Sequence, residues 1–180
     1  MKQSHSVLAI IIGLTLSHHL SLSAQDGKVA NKVFYSELFG PGVIMSANFD
    51  SRFSSNDRLG FGYRLGVGFA IENMWKIFSD QHDRQTYCTI PAGLNYVFGK
   101  ANSSNTFEAG AGVTILTRKV SISDFYGHNE PGNAIGFLSF MYRMMPLDGG
   151  FSYRAGLTPI IGTNWGKPYI ICAFSVGYAF

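Results

Sequence analysis

LGFGYRLGVGFAI, residues Leu59–Ile71, decides the fold. Leu59, Phe61, Tyr63, Leu65, Val67, Phe69 and Ile71 occupy every second position, with Gly60, Gly62, Arg64, Gly66, Gly68 and Ala70 between them. Successive side chains of a strand point to opposite faces, so this segment is a strand with one bulky apolar face and one small-residue face. The final stretch repeats the pattern: Ile170, Cys172, Phe174, Val176, Tyr178 and Phe180 alternate with Ala173, Ser175, Gly177 and Ala179. Phe151, Tyr153, Ala155 and Leu157 likewise oppose Ser152, Arg154 and Gly156. The glycines of GFGYRLGVG do not have the G-x-G-x-x-G spacing and no helix follows them, which excludes a dinucleotide-binding turn.

Working outward, the sequence predicts eight strands: Lys32–Leu38, Val43–Phe53, Leu59–Ile71, Tyr87–Phe98, Thr106–Thr117, Asn133–Arg143, Phe151–Pro159 and Pro168–Phe180. Most run to about 9 to 13 residues, enough for the roughly 9 to 11 that a tilted strand needs to cross a bilayer. Charged residues are 14% of the 180, against roughly 25% in ordinary soluble domains. The chain also holds 21 Gly, 15 Phe and 9 Tyr. Mean hydropathy is only +0.10, and no later run is long and apolar enough for a spanning helix. The net charge of +3 is scattered, with no basic run of the kind that binds nucleic acid.

Residues 1–24 read as a cleaved signal peptide. Lys2 gives a basic start, VLAIIIGLTL (Val7–Leu16) an apolar core, and Ser21, Ser23 and Ala24 a small-residue cleavage site. Residues 25–180 then form one barrel domain. Export permits disulfides, but Cys88 and Cys172 fall on the fourth and eighth strands, on opposite sides of a barrel, too far apart for a bridge.

The second face settles which side is outside. It is mostly Gly, Ala and Ser, with the isolated charges Glu37, Asp50, Arg64, Glu108 and Arg154. That is a poor solvated surface and a good interior for a narrow eight-stranded barrel, which side chains can fill. The large apolar face then meets lipid, and closure satisfies every backbone hydrogen bond, as hydrocarbon requires. A soluble ligand-binding barrel would instead need the Leu59–Ile71 stripe to face inward. An open porin is disfavoured, since aqueous channels use about 16 to 18 strands.

The breaks agree. SSNDR (Ser54–Arg58), GKANSSN (Gly99–Asn105) and MMPLDGG (Met144–Gly150) are short and turn-like, as periplasmic turns are. FGPG (Phe39–Gly42), Glu72–Thr86, Arg118–Gly132 and Ile160–Lys167 then lie outside, and they include the two longest.

At this point the chain resembles the small outer-membrane β-barrel proteins of Gram-negative bacteria, the OmpA/OmpX-like class. Such proteins commonly end in an aromatic-alternating strand with a terminal Phe, matched here by Phe174, Val176, Tyr178 and Phe180. YSELFGPGVIMSANFDSRF (Tyr35–Phe53), PAGLNYVFGK (Pro91–Lys100) and RAGLTPI (Arg154–Ile160) also look like a group of uncharacterised exported barrel domains. The resemblance implies assembly through a barrel-assembly machinery that reads the strand ending in Phe180. It supplies no catalytic residues.

Candidate chemistry sits in the two longest breaks. Asp80, His82 and Asp83, and Asp124, His128 and Glu130, are cation-ligand types without a third ligand fixed by the fold. Ser123, Asp124 and His128 are hydrolase residue types, but nothing places a nucleophile beside a base. Trp75, Phe78, Phe125, Tyr126 and Trp165 are expected at the outer headgroup level as an aromatic girdle. Lys76, Arg84, Arg118, Lys119 and Lys167 could meet lipopolysaccharide phosphates there. The sequence therefore predicts an eight-stranded antiparallel up-and-down transmembrane β-barrel with a filled lumen, in a structural or surface-interaction role. Outer-membrane lipid and lipopolysaccharide are its surroundings, and no cofactor or metal site is assigned. The alternative from another class is an outer-leaflet lipid-modifying enzyme of the lipid A deacylase or acyltransferase type.

Overall fold

A computed structural model describes residues 29–71, 86–120, 132–161 and 169–180. The strands are β1 (Lys32–Leu38), β2 (Met45–Arg52), β3 (Gly60–Ile71), β4 (Thr86–Gly99), β5 (Asn105–Val120), β6 (Gly132–Met144), β7 (Gly150–Ile161) and β8 (Tyr169–Ala179). They form a closed barrel in chain order, all neighbours antiparallel. The predicted strands and the eight-stranded antiparallel up-and-down fold are both present; β1 has the predicted ends, and no other end is shifted by more than three residues.

Closure joins β1 to β8, pairing Val33 with Ala179 and Leu38 with Phe174. Beyond the ladder, Phe180 N donates to Lys32 O at 2.9 Å and Lys32 N to Phe180 O at 3.1 Å. The last residue is thus stapled to the first strand, and no sheet edge is left open. Pro91, which has no N–H to give, sits mid-strand in β4, yet the β3–β4 register continues on both sides of it, Leu65 with Ala92 and Gly68 with Thr89.

The barrel is inside-out relative to a soluble one. Phe61, Leu65, Val67, Phe140, Phe151 and Ile170 face outward and are each more than half exposed. Arg64, Arg143, Arg154, Glu37 and Glu108 face inward and rank among the largest fully buried side chains. The stripe of Leu59–Ile71 therefore points away from the lumen, not into it as a soluble ligand-binding barrel requires. Cys88 and Cys172 lie on this outward face of β4 and β8, exposed and unbridged.

Small inward residues make room for large ones. A Cβ added to Gly177 of β8 would stand 2.4 Å from Tyr35 Cβ, so glycine there is what admits the Tyr35 ring from the adjoining strand. A Cβ on Gly112 would stand 2.5 Å from the Phe137 ring in the same way.

Candidate functional site in the barrel lumen

The isolated charges of the inner face join into one chain across the lumen, alternating in sign. Arg64 of β3 donates Nη2 to both carboxylate oxygens of Glu37 on β1, at 3.0 and 2.9 Å. Glu37 lies 3.8 Å from Arg154 Nη2 of β7, which donates to Glu108 Oε1 of β5 at 3.2 Å. Arg143 Nη1 of β6 donates to Glu108 Oε2 and to Asp50 Oδ1 of β2, each at 3.0 Å. Asp50 Oδ1 also accepts from Arg52 Nη2 at 2.7 Å, and Asn95 Nδ2 of β4 donates to Asp50 Oδ2. Arg52 Nη2 returns to Asn95 Oδ1 at 2.6 Å. Every strand except β8 contributes, and β8 supplies the small residues Ala173, Ser175 and Gly177 that the charges pack over.

Burial explains why they chain rather than pair. A lone ionised group in this setting is costly, and each carboxylate offers two oxygens to separate guanidiniums. Tyr35 braces the Arg64 end of the chain. Its hydroxyl accepts from Arg64 Nη2 at 2.7 Å, and Arg154 lies over its ring at 4.2 Å.

Both ends of the lumen are covered by backbone. At the long-connection end, the Gly40–Gly42 turn between β1 and β2 is buried. Thr114 Oγ1 of β5 donates to Pro41 O at 2.7 Å, and Thr89 Oγ1 of β4 donates to Gly42 O at 3.0 Å. These donors stand across the barrel from β1. Ile44 N closes a tight turn onto Gly42 O at 3.2 Å around Val43, whose φ of 75° and ψ of −72° form the rarer, strained γ-turn. Phe39 also has positive φ, at 57°. Two such non-glycine residues flanking one turn persist only where the surroundings hold them.

At the short-turn end, Ala30 and Asn31 lie across the opening. Arg52 N donates to Asn31 O at 3.0 Å, and Asn31 Nδ2 to Ser54 O at 3.0 Å. Ala30, Val33, Tyr35, Met145 and Ala179 pack into an apolar floor beneath them.

An outward aromatic belt rings the same short-turn end. Phe61, Tyr96, Phe98, Phe107, Tyr142 and Tyr153 follow one another in ring-to-ring steps of 4.8 to 6.4 Å. Phe180 continues it on Phe49, with ring centroids 6.5 Å apart.

Of the sequence-predicted residues, Glu37, Asp50, Arg64, Glu108 and Arg154 all face inward; Arg64, Glu37, Arg154 and Glu108 meet in succession, and Asp50 joins them through Arg143. Arg118 is exposed near the far end of β5. Ser123, Asp124, His128 and Glu130, and Asp80, His82 and Asp83, lie outside the described residues, as do Trp75, Phe78, Phe125, Tyr126, Trp165, Lys76, Arg84 and Lys167. Sequence reasoning missed Arg52, Arg143, Asn95 and Tyr35, although each has the parity of the inner face of its strand. It placed FGPG among the outer breaks, and the structure has the turn at that same long-connection end but folded into the lumen. The signal for the inward fold was the lack of any polar side chain in a connection supposed to stand in water.

No protein-family model and no curated protein matches the sequence; the likeness to known proteins is structural. The N-terminal β-barrel domain of Pseudomonas aeruginosa OprF superposes with a TM-score of 0.52 at 13% identity, covering 84% of this chain and 99% of that one. The Yersinia pestis outer membrane protein Ail, in a phospholipid bilayer nanodisc, superposes with a TM-score of 0.54 at 12% identity, covering 86% and 100%. At such identities the likeness is one of fold: this chain has the small eight-stranded barrel fold of those proteins.

Proposed function

We propose that this chain is an integral outer-membrane protein, exported by residues 1–24 and inserted as a closed, non-conducting barrel. The observation that carries this is the inverted polarity: charge buried in the lumen, large apolar side chains exposed all round. In water such a surface would aggregate, whereas in hydrocarbon it is the favourable face, and closure leaves no sheet edge exposed. The belt from Phe61 to Tyr153 suits one headgroup level, at the short-turn end. That end faces the periplasm on this reading, and the surface-interaction role falls to the two longest breaks of the opposite end, Glu72–Thr86 and Arg118–Gly132. The strand ending in Phe180, paired to β1 at closure, is the segment the barrel-assembly machinery would read.

The test is a denaturing gel of the mature chain, with and without boiling, after folding in detergent and in detergent-free buffer. A heat-dependent mobility shift in detergent alone is expected. A monodisperse folded protein without detergent would sink the proposal. Planar-bilayer recording of the same sample should show no stepwise conductance.

A further inference from the structure

The lumen holds more cation than anion. Among the described residues, five arginines are buried, Arg52, Arg58, Arg64, Arg143 and Arg154, against three carboxylates, Glu37, Asp50 and Glu108. Four of the arginines belong to the alternating chain. Arg58 does not. It lies in the turn between β2 and β3, is 4% exposed, and donates Nη2 to Met145 O. Its Nε and Nη1 have no hydrogen-bond partner among the described residues. Met145 is also where the outer end of Arg143 arrives, with Nη2 3.5 Å from Sδ. Arg143 shares its Nη1 with Asp50 and Glu108. Both guanidiniums therefore reach Met145, Arg58 at its carbonyl and Arg143 at its sulfur, and among the described residues no carboxylate is hydrogen-bonded to Arg58.

Burial first, and Arg143 second, pull the Arg58 guanidinium below its ordinary value. Arginine does not escape such a penalty by losing its proton, so a counter-ion is the remaining route to neutrality. The planar fork of a guanidinium matches an oxyanion in geometry as well as charge. Arg58 belongs to a turn rather than a strand, so a ligand would reach it from the short-turn end, past the Ala30–Asn31 cover.

We propose that Arg58 and Arg143, beside Met145 at the short-turn end of the lumen, form a binding site for a small free oxyanion of the phosphate class.

The test uses the full mature chain folded in detergent, with inorganic phosphate as probe and chloride holding ionic strength constant. Phosphate should raise the wild-type unfolding midpoint saturably, since a ligand of the folded state stabilises it by mass action. The rise should vanish in Arg58→Gln and need more phosphate in Arg58→Lys, which keeps the charge and loses the fork. Phosphorus NMR of the wild type gives a readout independent of stability, a saturable broadening of the phosphate line. An equal midpoint rise in Arg58→Gln would overturn the proposal, as would a wild type showing neither rise nor broadening. Were Arg58→Gln not to fold, the wild-type broadening alone decides: its absence ends the proposal.

Discussion

Arg143 and Arg154 stand directly opposite each other on β6 and β7. Like charges in register repel, and this pair is tolerated because Glu108 of β5 takes one guanidinium on each oxygen, Arg143 at 3.0 Å and Arg154 at 3.2 Å. Glu108→Gln should therefore destabilise the barrel by about 3–5 kcal/mol, the usual cost of breaking a buried pair from one side. The urea midpoint of the detergent-folded protein measures it. Ser175→Ala is the control: the hydroxyl is buried and without a hydrogen-bond partner among the described residues, so its loss should be neutral or mildly stabilising.

The Gly40–Gly42 turn is held by two side-chain donors from across the lumen. Thr89→Val with Thr114→Val should cost roughly 1 kcal/mol for each hydrogen bond removed. Released, the strained backbone at Val43 should relax, and the Val43 and Ile44 amides should exchange hydrogen faster while β1 and β2 keep their protection. Unchanged exchange at these two amides would mean that the turn holds itself in place.

Gly177→Ala places a methyl 2.4 Å from Tyr35 Cβ. Phe34 O would stand at 2.3 Å, so the β1 backbone that carries Tyr35 must then shift, and a loss of about 1–3 kcal/mol is expected, as for overpacked cores. Gly136→Ala, whose added Cβ would find its nearest atoms at 3.7 and 3.8 Å, should fold and melt like the wild type. The temperature at which each variant's gel mobility shifts on heating gives the comparison.

Cys172 reports on the environment of the outward face, where it is exposed on β8. In a Cys88→Ser background reconstituted into phospholipid vesicles, Cys172 should resist a water-soluble maleimide and react with an apolar one. Rapid labelling by the water-soluble reagent would put that face in water and overturn the membrane placement.

How much was legible beforehand follows from the range of each interaction. Period-two alternation is a property of a single strand's backbone, so Leu59–Ile71 sorted its residues into two faces without knowledge of any neighbour. Composition added which face is outward, because Gly, Ala and Ser with scattered single charges cannot make a wetted surface. Turn residues such as SSNDR fixed where strands stop. Those three local signals determined the barrel, its strand count and the inward placement of Glu37, Asp50, Arg64, Glu108 and Arg154. They could not determine who meets whom. Glu37 finds Arg154, and Asp50 finds Arg143, only because closure of β1 on β8 and the register of each ladder bring distant segments to one height in the lumen. The inward fold of Gly40–Gly42 is of the same kind. Its donors, Thr89 and Thr114, belong to strands that the turn meets only once the barrel has closed around it.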